Sequence, residues 1–380
     1  MIYFDNAATT YPKPESVYKR MEQAMRQAVN IGRGSYEEAR KGAEMADEVR
    51  QRLLALCHGQ KEYRVVLSPS ATIAANQVLQ GLDWNSIRRV YVTPYEHNAV
   101  ARTVSALCSL HGAELCRVPV RENGAIDLEQ LAYWFTQAPP DLLCSTVVSN
   151  VTGYVLPVQE MAVLARGFGA KVMLDGAQAV GLIPLDLEQL SADYMIFAGH
   201  KTLYGPFGIG GFFMKKQAEL SPVLYGGNGI DSLNVSMNQK GVIRYEPGSP
   251  DYMALAGLLE SLKWLEETGM SNILAHEQAL IGLLQKELGE IDGVVQYQAP
   301  GVQTGITAFN IDGYTAEEAG CILDEEFQIA VRTGYHCAPY VHEVIGDVDN
   351  LGCIRVSMGM FTTEREVKLL AEAIRSIALD

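Results

Sequence analysis

Two charged side chains stand at the ends of apolar runs in the middle of the chain. The run 197–201 ends in Lys201, ahead of the glycine-rich stretch 205–211, and the run 171–175 ends in Asp175. An acid at the end of a central parallel strand points into the ligand crevice of its sheet. A lysine amine can form an imine with a carbonyl cofactor, and a carboxylate can keep a pyridine nitrogen protonated. Pyridoxal 5'-phosphate (PLP) requires both groups.

A phosphate group needs backbone donors and hydroxyls, and Ser70, Ala71 and Thr72 open an alanine-rich predicted helix. The positive helix N-terminus and the Thr72 hydroxyl suit an anion, and His200 offers another donor. Each of these features can also have a purely structural explanation. A serine or threonine at a helix start, for example, is usually only a cap. Two other phosphate motifs are excluded. His200 interrupts the glycine–lysine pair of a Walker loop, and the run 205–211 precedes a strand instead of opening a helix.

Composition narrows the classes of function. With 30 Lys and Arg against 45 Asp and Glu, the net charge is −15, which repels nucleic acid and anionic membrane surfaces. We expect neither as a partner. Asp5 interrupts the start of the chain where a signal peptide would be apolar, and no apolar run reaches membrane-spanning length. The seven cysteines are scattered without CxxC pairs, which is typical of a reducing compartment. A cytoplasmic location is predicted.

The elements that must position these residues alternate between strand and helix. Short β-rich runs near 65–67, 90–92, 142–148, 171–174, 194–197 and 210–214 are separated by helical periodicity at 72–82, 98–111, 128–135 and 158–168. This alternation predicts a mostly parallel sheet between helices. A long helix is predicted over 35–57, with Ser35 as its cap.

After Asp251 the pattern changes to helices at 252–267 and 273–288, strands near Val294, Thr307 and Ala330, and a last helix over 363–379. The Pro- and Gly-containing run 245–250 marks a boundary. We therefore predict a large α/β domain over 15–250 and a smaller α+β domain formed by 1–14 and 251–380.

Six motifs in order give the chain a resemblance to a known family. The sequence resembles the cysteine desulfurases of the class V aminotransferase fold, through FDNAAT at 4–9, EHN at 96–98, SNVTG at 149–153, DGAQ at 175–178, GHK at 199–201 and RTGYHCA at 332–338. It is most similar to the group II branch, which includes selenocysteine lyase-like enzymes, because the segment from Cys337 to Arg355 is short. The resemblance implies the PLP-dependent transferase fold type I, with a seven-stranded type of sheet.

The resemblance also implies roles for single residues. Lys201 would carry PLP, Asp175 would pair with the pyridine nitrogen, and His97 would stack on the ring and move protons. The other cofactor-binding residues would be Ala71, Thr72, Asn150, Gln178, His200 and Ser249, the last reaching the phosphate of a partner subunit in a homodimer with shared active sites. The substrate would be held by Ala8, Asn150, Arg332 and Arg355, for which a bidentate arginine is suited.

Cys337 matches the sulfur-accepting nucleophile of that family. A thiolate is the competent attacker, and neighbouring His336 and Arg332 are expected to lower the pKa of the thiol. The simpler interpretation is that Cys337 is a buried, inert cysteine. Its place in a glycine-rich loop that also carries a histidine argues against that interpretation. A zinc site formed by His336, Cys337, His342 and Cys353 matches no tight ligand motif, so no metal is predicted.

The sequence departs from the family pattern at three positions. Ala198 stands where a serine is usual, Thr202 is an added residue after the lysine, and Tyr335 replaces a histidine. The predicted function is PLP-dependent conversion of L-cysteine to L-alanine with a persulfide on Cys337, for delivery to a sulfur-acceptor protein. Selenocysteine cleavage, another PLP-dependent lyase or aminotransferase reaction, and a non-enzymatic scaffold remain alternatives. Fold alone does not separate them.

Overall fold

The computed structural model of the protein describes residues 1–29, 31, 34–227, 229, 233–236 and 240–379. In these ranges the chain forms thirteen β-strands: β1 (Ile2–Tyr3), β2 (Tyr63–Ser68), β3 (Arg89–Val92), β4 (Glu114–Arg117), β5 (Leu142–Thr146), β6 (Lys171–Asp175), β7 (Tyr194–Ala198), β8 (Gly210–Lys215), β9 (Val294–Tyr297), β10 (Ile306–Ile311), β11 (Ile329–Ala330), β12 (Arg332–Gly334) and β13 (Cys353–Ser357).

The same ranges contain eleven α-helices: α1 (Glu15–Gln27), α2 (Glu37–Leu56), α3 (Ala71–Gly81), α4 (Asn98–His111), α5 (Leu128–Gln137), α6 (Val158–Gly167), α7 (Tyr252–Thr268), α8 (Met270–Leu288), α9 (Ala316–Phe327), α10 (Val341–Ile345) and α11 (Glu364–Leu379). None of the helices in the described part of the chain is both long and apolar enough to cross a membrane.

The larger sheet has seven strands in the order β2-β8-β7-β6-β5-β3-β4. Strands β3 to β7 are parallel, and β8 is antiparallel to both of its neighbours. Alternate residues of the central strands enter two separate cores. Leu143 and Leu174 pack with α2, α5, α6 and α7, whereas Leu142 and Met173 pack with α3 and α4. Helices therefore cover both faces, as a mostly parallel sheet requires. The predicted fold class is confirmed.

The predicted bounds of some helices and strands were wrong, and some elements were not predicted. The long helix begins at Glu37 instead of Ser35, and Tyr36 precedes it without a side-chain cap. The strand predicted to reach Val148 ends at Thr146. Strand β4 was missed because it lies at the sheet edge with a half-exposed, non-alternating sequence. Helices α1, α9 and α10 and strands β12 and β13 were also not predicted.

The smaller sheet is antiparallel, in the order β12-β13-β10-β9. Helices α8, α9 and α11 share a hydrophobic core with it, and Phe4 enters the same core. The start of the chain is tied to this part of the molecule, since β1 pairs with β11. Helix α7 packs instead against α1 and α2. The division into 15–250 and 1–14 with 251–380 stays a prediction.

Candidate active site

A cavity of about 230 Å³ opens at the carboxyl ends of β5, β6 and β7. Carboxyl ends of parallel strands are the usual ligand site of such sheets. The structure brings twelve of the thirteen predicted site residues to its wall: Ala8, Ala71, Thr72, His97, Asn150, Asp175, Gln178, His200, Lys201, Arg332, Cys337 and Arg355. Ser249 is exposed and lies outside this cavity, and it lines a second, larger cavity of about 410 Å³ together with the rest of the run 245–251. Ser249 is predicted to contact the phosphate bound by a partner subunit, not the one bound by its own subunit.

Asp175 and Lys201 come from neighbouring strands. Asp175 ends β6, pairs in register with Thr146 on one side and Ile196 on the other, and accepts a 2.9 Å hydrogen bond from the Ala177 amide. Burial raises the pKa of its carboxyl. Burial also lowers the pKa of Lys201 to about 8, against the opposing pull of Asp175. A larger fraction of this amine is therefore neutral near neutral pH than for an exposed lysine, and the neutral amine is the form that attacks a carbonyl.

The turn that carries Lys201 is fixed through the carbonyl of His200. That oxygen accepts hydrogen bonds from the Thr10 amide at 3.1 Å, from the Thr9 hydroxyl at 3.0 Å and from Lys13 Nζ at 2.9 Å. The N-terminal segment, whose Ala7 and Ala8 line the cavity, therefore also anchors the turn that carries the lysine.

His97 is held in one tautomer by its place at the start of α4. Its Nδ1 accepts a 3.0 Å hydrogen bond from the Ala99 amide. The hydrogen of the neutral ring is therefore assigned to Nε2. Burial lowers the pKa of His97 to about 4, with nearby Lys201 acting in the same direction. His97 can donate a hydrogen bond into the cavity but stays uncharged at neutral pH.

The start of α3 forms a cradle with the features of a phosphate site. Ser70 caps the helix by accepting from the Ile73 amide at 3.2 Å, so the amides of Ala71 and Thr72 are left for a ligand. Gly210 permits this arrangement, because a Cβ there would lie 2.9 Å from the Ala71 nitrogen. Within the described residues, the buried Nδ1 of His200 has no hydrogen-bond partner. These donors fit the phosphate of PLP.

Arg332 and Arg355 face each other directly across β12 and β13. Two like charges in opposed positions repel, so the pair needs an anion. Asp5 supplies one, at 2.5 Å from Arg355 Nη2, and the Asn150 carbonyl accepts from Nη1 at 3.0 Å. Arg355 Nε is buried and lacks a partner in the described chain. Among the described residues, two of the five guanidinium N–H groups of Arg355 have a partner, so the pair can still bind a substrate carboxylate.

Cys337 lies in the loop after β12, with its Sγ 4.0 Å from Arg332 Nη2. The expectation that His336 would act as a cation beside this thiol was wrong. His336 is buried, and burial lowers its pKa to about 2. Its Nε2 lies 2.9 Å from the Cys353 carbonyl. Of the two predicted neighbours, only Arg332 carries a positive charge to the thiol.

The four residues considered for zinc do not form a set. In the described chain, the close group of ligand atoms consists of His342, Asp347 and Cys353, within 4.8 Å of one another, and leaves Cys337 out.

Comparison with known proteins settles the family. The aminotransferase class-V profile matches residues 2–370, nearly the whole chain. The chain belongs to the aminotransferase class-V family. This family is PLP-dependent. Curated relatives of this chain include a probable cysteine desulfurase of Halobacterium salinarum, 30% identical over 98% of this chain and 91% of the relative, and a cysteine desulfurase of Escherichia coli, 31% identical over 99% and 93%. The predicted family is confirmed.

Solved structures of two cysteine desulfurases have a similar fold. The apo cysteine desulfurase of Thermococcus onnurineus is 26% identical, with a TM-score of 0.91 over 100% of this chain and 94% of that one. The cysteine desulfurase CsdA of Escherichia coli, in an S-sulfonic acid form, is also 26% identical, with a TM-score of 0.86 over 99% and 94%.

The departures from the class-V pattern have visible consequences. Ala198 ends β7 and lines the cavity beside the phosphate cradle, where it offers no hydroxyl. Thr202 binds the turn after Lys201 to the Val180 carbonyl at 2.7 Å. Tyr335 is half-exposed and packs edge-on against His342, with ring centroids 4.9 Å apart.

Proposed function

We propose that the protein is a PLP-dependent cysteine desulfurase, which converts L-cysteine to L-alanine and retains the sulfur as a persulfide on Cys337. The observation that carries this proposal is the meeting of four groups in one cavity: the amine of Lys201, the carboxyl of Asp175, the arginine pair and the thiol of Cys337. The relatives and neighbours named above carry the same activity in their names.

The residues around the sheet would hold and tune the cofactor. When bound, PLP withdraws electrons from the substrate carbon through its protonated ring. Asp175 would hold that ring proton, and the start of α3 with His200 would bind the phosphate. His97 Nε2 would lie against the ring as a neutral donor. Lys201 would capture the carbonyl of PLP and, once released by substrate, take the α-proton as a neutral amine.

The arginine pair would orient the substrate. Arg355 has free N–H groups next to Arg332, and both lie near Cys337 in the same cavity. A carboxylate bound there would place the sulfur of cysteine on the side of the acceptor thiol. Positioning of this kind supplies much of the rate enhancement in a bimolecular step.

The sulfur step balances without an external oxidant. The thiolate of Cys337 attacks the sulfur of the substrate, so an S–S bond forms as the substrate C–S bond breaks. The electron pair of that bond stays with the carbon, which takes a proton and leaves as alanine. Arg332 Nη2 lies 4.0 Å from the sulfur of Cys337, so a positive charge faces the attacking group.

We further propose a homodimer in which Ser249 reaches the partner's phosphate. Leu224, Tyr225, Leu233 and Val235 are exposed apolar side chains within positions 224–235, and Leu224 lines the same cavity as Ser249. Clustered apolar exposure of this kind suits contact with a second copy.

We also propose that the protein is located in the cytoplasm. All seven cysteines are unpaired, which is in keeping with a reducing compartment. An acceptor protein there would collect the sulfur.

A product assay tests the proposal. The PLP-loaded wild type, Cys337→Ser and Lys201→Ala are each supplied with L-cysteine or selenocysteine, with and without reductant, and alanine, pyruvate, sulfide and selenide are measured. We expect alanine from cysteine, little of it with Cys337→Ser and none with Lys201→Ala. Pyruvate as the main product would indicate elimination instead. Alanine from selenocysteine alone would indicate a selenocysteine lyase.

A further inference from the structure

A buried histidine and a buried aspartate lie behind the loop that carries Cys337. His342 is the second residue of α10, and Asp347 follows that helix. The side chain of His342 is 3% exposed and that of Asp347 is fully buried. Neither lines the cavity, so the chemistry proposed above uses neither of them.

Both ring nitrogens of His342 are engaged by the protein. Nδ1 lies 2.9 and 2.8 Å from the two carboxyl oxygens of Asp347, and Nε2 lies 2.9 Å from the backbone carbonyl of Tyr335. A carbonyl oxygen can only accept, so the hydrogen of this bond must be on Nε2. Both nitrogens are therefore engaged, and the arrangement is a hydrogen-bonded chain from Asp347 through His342 to the Tyr335 carbonyl.

The bond to Tyr335 completes the support of the nucleophile loop. The carbonyl of His336 accepts from Asn150 Nδ2 at 2.7 Å, and that of Cys337 accepts from the Asn98 amide at 2.6 Å. Three successive carbonyls are thus held from α10, from the loop after β5 and from the start of α4, and the Tyr335 carbonyl also accepts from the Ala338 amide at 2.9 Å.

This support is needed because the loop has an unfavourable backbone. His336 and Cys337 have φ values of +48° and +57°, in the left-handed region that non-glycine residues seldom adopt. Such conformations persist only where the surroundings over-determine them.

We propose that His342, oriented by Asp347, is a positioning residue for the sulfur-accepting thiol. Its hydrogen bond to the Tyr335 carbonyl keeps Cys337 in the left-handed conformation that places Sγ on the cavity wall beside Arg332. This inference rests on the proposed function in giving Cys337 the acceptor role. Loss of the bond should slow the sulfur step while substrate binding, which depends on the arginine pair, is kept.

Two matched double variants isolate this hydrogen bond. His342→Gln with Asp347→Asn keeps an amide donor at about the reach of Nε2, whereas His342→Met with Asp347→Asn has the same length and no donor. Neither leaves an unpaired charge buried. If the methionine variant does not fold, His342→Asn with Asp347→Asn, whose amide is too short to reach Tyr335, takes its place.

Two readouts are taken on the PLP-loaded proteins. The first is kcat and KM for alanine release from cysteine. The second is the rate of alkylation of Cys337 by iodoacetamide, followed by peptide mass spectrometry, with exposed Cys321 as the internal reference. Alkylation does not require cysteine to be a substrate, so a wild type that releases no alanine would refute the proposed function and still leave His342 open to test.

The donor-free variant should lose kcat by about 10- to 100-fold at nearly unchanged KM, as a displaced reacting group does. Its Cys337 should be alkylated several-fold faster than in the wild type relative to Cys321, because the loop opens. The glutamine variant should stay near the wild type in both readouts. Equal behaviour of the two variants would overturn the proposal. Stoichiometric zinc in the wild type, lost from both variants, would overturn it as well.

Discussion

The chemistry depends first on single side chains whose burial changes their charge. Lys201 and His97 are both driven toward their neutral forms by burial, and the pKa of the Asp175 carboxyl is raised by burial. A cavity that disfavours charge in this way makes the lysine a nucleophile near neutral pH. The nearly buried charge of Arg355, which lines the same cavity, is paired with Asp5.

The pH dependence of PLP capture tests the state of Lys201. The pKa of its amine is lowered to about 8, so the neutral fraction falls about tenfold for each pH unit below that value. The rate of PLP binding to the apo protein, followed by its visible absorbance, should rise to about pH 8 and then level off.

Two variants sharpen this measurement. Lys201→Ala gives the background from other lysines. Asp175→Asn removes the charge that favours the ammonium form of Lys201, so the midpoint should move to lower pH. A rate that still rises steeply toward pH 10, near the ordinary pKa of lysine, would show that burial does not tune the amine.

At the scale of elements, the pairing of β12 with β13 imposes an electrostatic cost. It sets Arg332 opposite Arg355, and the strand pairing leaves neither free to move away. Asp5, brought by the segment after β1, offsets that repulsion from the far end of the chain. The same pairing places two guanidinium groups where one substrate carboxylate can meet both.

Replacing Asp5 tests how much this ion pair stabilises the fold. Asp5→Asn leaves the nearly buried Arg355 without its anion, so the apo protein should lose roughly 2–4 kcal/mol of unfolding free energy in urea. The control is Glu22→Gln, which breaks the exposed pair of Glu22 and Arg26 and should cost under about 1 kcal/mol. Equal effects of the two substitutions would contradict the account of the arginine pair.

For the whole molecule, an element could be predicted from the sequence where a residue pattern within a short stretch of chain marks it. The central strands and their crossover helices follow from apolar periodicity within a few residues. Strand β12 has three residues, among them an arginine and a glycine, and β13 has an arginine at its centre, and neither strand was predicted. Edge strand β4 has no clear alternation to detect.

In the candidate site too, features marked by local sequence motifs could be predicted and contacts between distant segments could not. Its individual residues were predicted because motifs mark them, and twelve lie in one cavity. The contact of Asp5 with Arg355 joins positions 350 residues apart, so no local pattern could show it. Glu96 was noted only as part of a motif, yet its carboxylate accepts from Thr93 and from the Thr146 amide across strands. The neutral state of His336 likewise depends on burial by distant segments.

The mass of Cys337 after a single turnover tests the central claim most directly. The PLP-loaded protein is mixed with L-cysteine without reductant or acceptor. The mass of the peptide that contains Cys337 and the amount of released alanine are then measured. We predict a peptide heavier by one sulfur atom and about one alanine for each subunit, in keeping with one acceptor thiol per site. Alanine released in that amount while the Cys337 peptide keeps its mass, and equally by Cys337→Ser, would contradict the account.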